Sequence, residues 1–172
     1  MAITVTPEDG TGLSTANAFA SVAEITAMLE EDIYATHWPA LTAPQQAAVA
    51  VRATRLVIED VAARGWRWWG WPINAMQALP VPRSGFWDRE GNVIASNVVP
   101  VELKRLIAEL CEILAGTNAA AAANGPAEQS ISMGRLSVTY AVSGAGSAST
   151  VPDRLYASAL HLFDRVPIAV RA

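Results

Sequence analysis

Apolar residues recur at helical spacing in four stretches of the chain. After Ser21, the residues Val22, Ile25, Met28 and Leu29 fall on one face, and the pattern fades near Tyr34. Ser21 and Glu24 stand at capping-box spacing, which satisfies the free amides of a first turn. The longest stretch follows Thr42, with Pro44 in its first turn and Gln45 completing a second box. It carries Ala47, Val51, Thr54, Ile58 and Val61 on one side and stops at Gly65. Pro100 opens a third helix whose wide stripe is Leu103, Leu106, Ile107, Leu110, Ile113 and Leu114, ended by Gly116. Pro152 opens a fourth, with Leu155, Ala159, Leu162 and Phe163 along one side.

Other segments carry strand or loop signals. Residues 1–20 read as extended, with Ile3 and Val5 alternating before a turn at Glu8-Asp-Gly-Thr-Gly12. Trp38-Pro39 reads as a loop, and LPVPRSG over 79–85 as a rigid one, because each proline fixes φ and removes a donor. Phe86-Trp87 and Val93-Ile94 flank Asp88-Arg-Glu-Gly91, a short β-hairpin with Gly91 in the left-handed position. Ile131–Met133 and Leu136–Tyr140 form a second hairpin around Gly134-Arg135. The runs 117–129 and 143–150 are small and turn-prone, the composition of flexible connectors. The expected fold is therefore mainly α with two short β-hairpins. Residues 1–116 form a helical core domain, 117–151 a connector and hairpin, and 152–172 a C-terminal helix and tail. The apolar tail VPIAVRA is expected to tuck home or to dock on a neighbour.

Composition changes this picture in one respect. Hydrophobic residues make up 52% of the 172 and charged residues 16%, against roughly 25% charged in average soluble domains. So little charge points to surface covered by partners. The net charge of −4 argues against a nucleic-acid binder, which usually shows a basic face. The charge is also uneven. Residues 1–51 hold six acids and no Lys or Arg, whereas 52–89 hold six arginines against three acids. These are either ordinary solvated faces or opposed patches that neighbouring copies in a head-to-tail ring could match.

The search for chemistry returns little. His37 and His161 are the only histidines, no Cys or His pair has ligand spacing, and Glu30, Glu31 and Asp32 are consecutive rather than alternate. No metal and no cofactor is expected. The single Cys111 allows no internal disulfide and sits among Leu110, Ile113 and Leu114, the setting of a buried small hydrophobe. Ser84 is not in a G-x-S-x-G elbow, and Gly144-Ala-Gly146 is too slight to cradle a phosphate. His161, on an apolar helix, reads as a satisfied structural residue. No enzyme is expected. The opening MAITVTPEDG has neither the basic nor the apolar segment of a secretory signal, and no window reaches the ~18 apolar residues of a membrane span.

The most unusual stretch is Arg64-Gly-Trp-Arg-Trp-Trp-Gly-Trp71, with four tryptophans in six positions. Its Gly70 and Pro72 predict an irregular or single-turn segment. Three roles compete. The indoles could stack on single-stranded bases with Arg64 and Arg67 tracking phosphates. They could fill a core, an indole beside arginine gaining cation–π support. They could anchor a protein interface, where Trp and Arg are enriched. A mixture is expected, some rings inward and some outward.

A series of motifs runs in a familiar order: Asp9-Gly-Thr-Gly-Leu13, Ala16-Asn-Ala-Phe19, Ser21-Val-Ala-Glu24, Arg52-Ala-Thr54, Gln77-Ala-Leu79, Pro82-Arg-Ser-Gly85, Asp88-Arg-Glu-Gly91 and Val99-Pro-Val-Glu-Leu-Lys104. Together they resemble the head–tail connector (adaptor) proteins of tailed bacteriophages, whose members often carry the label DnaT-like single-stranded-DNA-binding protein. The resemblance implies a structural virion protein, made in the host cytoplasm and sited at the head–tail interface. It would form a homo-oligomeric ring, a dodecamer, beneath the portal protein and receive a tail-side stopper or terminator. DNA would pass through its channel without sequence-specific binding. The DnaT-like label implies a single-strand-binding replication protein instead. On the adaptor reading, the expected interface residues are Trp66, Arg67, Trp68, Trp69 and Trp71 at a ring contact, with Leu155, Leu162, Phe163, Ile168 and Val170 docking on the portal.

Overall fold

In the computed structural model, which describes residues 3–116, 129–133, 136–140 and 151–164, the helices begin where their caps predict. The Ser21 hydroxyl accepts the Glu24 amide at 3.2 Å, and the Glu24 carboxylate accepts the Ser21 amide at 2.8 Å, opening α1 (Val22–Leu29). Thr42 and Gln45 make the same reciprocal pair at the start of α2 (Ala43–Ala63), which ends at Arg64 and Gly65. Helix α3 (Val101–Gly116) follows Pro100 and packs against both α1 and α2.

The core forms between these helices. Leu103, Leu106, Ile107, Leu110 and Cys111 of α3 are buried with Ile25 of α1 and Ala50, Ala53, Val57 and Val61 of α2. Each fully buried leucine or isoleucine contributes roughly 1.5–3 kcal/mol relative to its exposed state. Burial also pushes the Cys111 thiol well above its ordinary range, so the cysteine is the inert hydrophobe its neighbours predict. Thr54, on the same face, is buried because its hydroxyl accepts the Phe19 amide at 3.3 Å.

Several elements depart from expectation. Helix α1 stops at Leu29 rather than near Tyr34. Glu30, Glu31 and Asp32 sit at the negative end of the helix dipole, where acids are unfavourable, and Asp32 turns the chain by accepting the Tyr34 amide at 2.9 Å. Trp38 opens a single 3-10 turn, Trp38–Ala40, and is buried to 1% exposure. Its indole N–H donates to the Thr26 hydroxyl at 3.0 Å, so the expected loop is a docking point for α1. The 86–94 hairpin is reduced to one bridge, Trp87 to Val93, with the Ile94 amide donating to the Phe86 carbonyl. Gly91 has the left-handed φ expected of it, +86°. Residues 3–20 form no strand ladder; Pro7 and Ala18 make one parallel bridge.

The tryptophan segment is more regular than its glycines suggest. It contains β1 (Arg67–Trp68) and β2 (Trp71–Pro72). Strand β2 pairs with β3 (Arg83–Ser84). Strand β1 pairs with β6 (Phe163–Asp164), which takes the end of what periodicity predicts as one long last helix. That helix, numbered α4 here, spans only Asp153–Tyr156, and a 3-10 turn at Leu160–Leu162 leads into β6. Pairing with β1 turns the chain away from the helical path and carries Phe163 inward.

The chain divides into two compact units, Met1–Gly116 with Ser149–Ala172, and Thr117–Ala148. The elements above belong to the first. In the second, β4 (Gln129–Met133) and β5 (Leu136–Tyr140) pair antiparallel, with Ile131 opposite Val138 and Met133 opposite Leu136. The architecture is mainly helical, with short antiparallel strand pairs.

Candidate nucleic-acid interface

The four indoles of the segment divide into two pairs. Trp66 and Trp68 are half-buried and pack on the core. The Trp66 ring lies 5.2 Å from Tyr156 and 5.7 Å from Phe163, and Trp68 lies 4.9 Å from Phe163 and 5.9 Å from Phe19. Tilted and edge-on pairs at these distances add roughly 0.5–1.5 kcal/mol each beyond area burial. Trp69 and Trp71 point outward, at 45% and 76% exposure.

The turn between the pairs is fixed from beneath. The Trp69 amide donates to the Leu162 carbonyl at 3.0 Å. Arg83 clamps the next two carbonyls, its Nε donating to Trp69 and its second nitrogen to Gly70, both at 2.6 Å, with a third bond to Pro80 at 3.2 Å. Gly70 has φ +66°, and a Cβ there would lie 2.1 Å from the Ser84 carbonyl oxygen, so only glycine fits. Two exposed indoles are thereby presented on a rigid mount.

Around them runs a groove of about 420 Å³ lined by Arg67, Trp68, Trp69, Gly70, Trp71, Arg83 and Asp164. Arg67 is exposed and faces Asp164 across the β1–β6 register. Among the described residues its guanidinium makes no ion pair or hydrogen bond. Arg64, the other arginine of the segment, is committed to the fold. Its guanidinium lies 5.0 Å over Trp66 and 4.9 Å over Tyr156, and bonds Asp60 at 2.6 Å and Asp153 at 2.7 Å. Of the two arginines that could track phosphates, only Arg67 is available to do so.

The expected interface residues thus part company. Arg67, Trp68, Trp69 and Trp71 line one groove, whereas Trp66, packed on Tyr156 and Phe163, is not among its lining residues. Leu155, Leu162 and Phe163, expected to face a partner, are instead buried in the chain's own core, because α4 and β6 fold back onto the tryptophan segment. Ile168 and Val170 lie outside the described residues. Sequence reasoning missed Arg83 and Gly70 as the supports of the site. The available signal was the φ-permissive glycine between two tryptophans. Nothing local ties Arg83 to carbonyls more than ten positions away.

Other candidates are structural. The Asp-Gly-Thr-Gly turn is wound around Glu8, whose buried carboxylate accepts the amides of Gly10, Gly12 and Leu13 at 3.1, 2.9 and 3.0 Å. These amides are occupied from within, leaving no cradle for an external anion. His161 differs from expectation: both ring nitrogens are shielded without a hydrogen-bond partner among the described residues. Among those residues no group of three or more His, Cys, Asp or Glu could hold a metal, and no helix is long and apolar enough to cross a membrane.

A family model described as "Putative DnaT-like ssDNA binding protein" covers residues 1–166. No curated protein and no solved structure matches the chain.

Proposed function

This chain belongs to the family of putative DnaT-like ssDNA-binding proteins, and from that premise we propose that it binds single-stranded DNA along the Arg67–Trp71 groove. The observation that carries the reading is the pair of outward indoles, Trp69 and Trp71, held on the Gly70 turn beside an uncommitted arginine. Stacking is worth roughly 1–3 kcal/mol per base and asks for no particular sequence, since every base has a π-face. Two indoles engage about two bases, and Arg67 meets a phosphate between or beside them. The fixed turn reduces the ordering cost of binding.

The test is a fluorescence titration with an unstructured oligothymidylate. Stacking quenches the exposed indoles, and Trp69→Ala with Trp71→Ala abolishes the quenching and weakens binding at least tenfold, about 1.4 kcal/mol, within the range for stacking one base. Unchanged emission from the wild-type protein at low salt excludes this function.

A second reading keeps the adaptor role: a structural ring subunit beneath a phage portal, lining a DNA channel and meeting a tail-side component. What favours it is apolar surface that DNA does not need. Ile33, Tyr34 and Met76 are large, exposed hydrophobics, and the low charge leaves little to keep such a surface solvated. A net charge of −4 also suits a conduit that must not grip phosphates.

A further inference from the structure

The segment Glu30-Glu-Asp-Ile-Tyr34, turned by the Asp32 carboxylate, leaves α1 with all five residues exposed. Three acids stand at the negative end of the helix dipole, with no basic residue in the last turn. Among the described residues, the cation that approaches them is Arg105, 4.0 Å from Glu31. Beside them Ile33 and Tyr34 stand 85% and 81% exposed, beyond any other large hydrophobic described. An exposed isoleucine–tyrosine pair, flanked by three acids that one distant arginine balances only in part, matches a socket that is aromatic and basic.

The chain carries such a socket. The groove at Trp69 and Trp71 is lined by two arginines, Arg67 and Arg83, against the single acid Asp164. None of residues 30–34 lines it, so the two features do not meet within one molecule. We propose that Ile33 and Tyr34 of one copy seat between Trp69 and Trp71 of a second copy, with the acids of residues 30–32 facing Arg67. Tyrosine against tryptophan buries large rigid rings at small entropic cost, and opposed charges fix the register. The knob and socket are different surfaces, so the contact is head-to-tail. Each added copy leaves one of each free, and the assembly grows as a chain or closes as a ring. The same contact covers the faces a base would stack on, so self-association and single-strand binding compete. The inference stands on charge and exposure and depends on neither reading of function.

Sedimentation velocity of the full chain, without DNA, tests it. The wild-type protein sediments faster as its concentration rises to about 100 μM, a range that detects micromolar contacts. The knob variant Ile33→Ser/Tyr34→Ser and the socket variant Trp69→Ser/Trp71→Ser each remain monomeric. Mixed together, they form a 1:1 dimer, because an intact socket on the first meets an intact knob on the second. All four substituted side chains are exposed, and circular dichroism confirms that both variants stay folded. A wild-type monomer at every concentration, knob variants that associate like wild type, or a mixture that stays monomeric overturns the contact. Oligothymidylate binding by the knob variant is a separate readout: quenching retained there upholds the nucleic-acid reading whatever the sedimentation shows.

Discussion

At Asp60 a carboxylate only 3% exposed accepts Nε–H of Arg64 at 2.6 Å and the Tyr156 hydroxyl at 2.7 Å. A buried charge persists only when paired and hydrogen-bonded, and this one fastens α4 to α2 across 96 positions of sequence. Burial first, then the bond to Asp60, raises the Tyr156 phenol far above its ordinary pKa, so it donates throughout the accessible pH range. Tyr156→Phe keeps the ring against Trp66 and Phe163 and removes one bond to a charged acceptor. It should cost about 1.5–3 kcal/mol in urea unfolding with an unchanged m-value. A loss under about 0.5 kcal/mol would mean that the partners left to Asp60, Arg64 among them, satisfy it without the phenol. The same arginine illustrates how residue type misleads: read beside four tryptophans it suits phosphate contact, yet its guanidinium is held by Asp60, Asp153 and two aromatic faces.

Between elements, the clasp of greatest consequence is Glu112 on α3. Its carboxylate accepts the amides of Thr36, His37 and Trp38 at 3.0, 2.8 and 2.8 Å, and lies 2.8 Å from Nδ1 of His37. It fixes the 3-10 turn that seats Trp38 in the core. Burial is the largest single influence on its pKa and raises it, but the bonds from His37, Trp38 and Thr36 together outweigh burial and hold it below the ordinary 4.5. A depressed carboxylate pKa contributes stability that is fully present above the unfolded value and lost as pH falls through the folded one. Glu112→Gln should therefore be less stable than wild type at pH 7 by about 1.5–3 kcal/mol, the range of a bond to a charged group. The difference should shrink as acid takes the wild-type carboxylate through its folded pKa. Denaturant titrations at several pH values measure this, and a gap that stays constant into acid would assign the clasp to geometry rather than charge.

Over the whole molecule, charge sets the scale of any nucleic-acid affinity. The chain carries −4, and its groove offers Arg67 plus the partly shielded Arg83, whose guanidinium burial pushes down in pKa and whose donors serve three carbonyls. One or two phosphate contacts give a slope of log K against log salt of about −0.7 to −1.4 for a single strand. Oligothymidylate titrations across salt concentrations should return that shallow slope. One steeper than about −3 would place binding on another surface, such as the exposed arginines of α2.

Whatever a few neighbouring residues decide could be read directly from the order of amino acids. Ser21 with Glu24 and Thr42 with Gln45 set the helix starts, because a cap involves only its own first turn. The stripe Leu103, Leu106, Ile107 and Leu110 set the buried face of α3, because helical period alone lines those side chains up, while its last members, Ile113 and Leu114, are only half-buried. That the rings of the tryptophan segment would be shared between core and surface was also legible, from composition. Tertiary structure decided which indoles face which way. Trp66 and Trp68 turn inward because Tyr156 and Phe163, some 90 positions later, arrive to pack on them. Trp69 and Trp71 stay out because Arg83 and Ser84 hold the intervening turn. The same return of the chain buried Leu155, Leu162 and Phe163, whose apolar spacing serves a core and an interface equally well. Periodicity says that a face will be covered; only the long-range packing of the chain says by what.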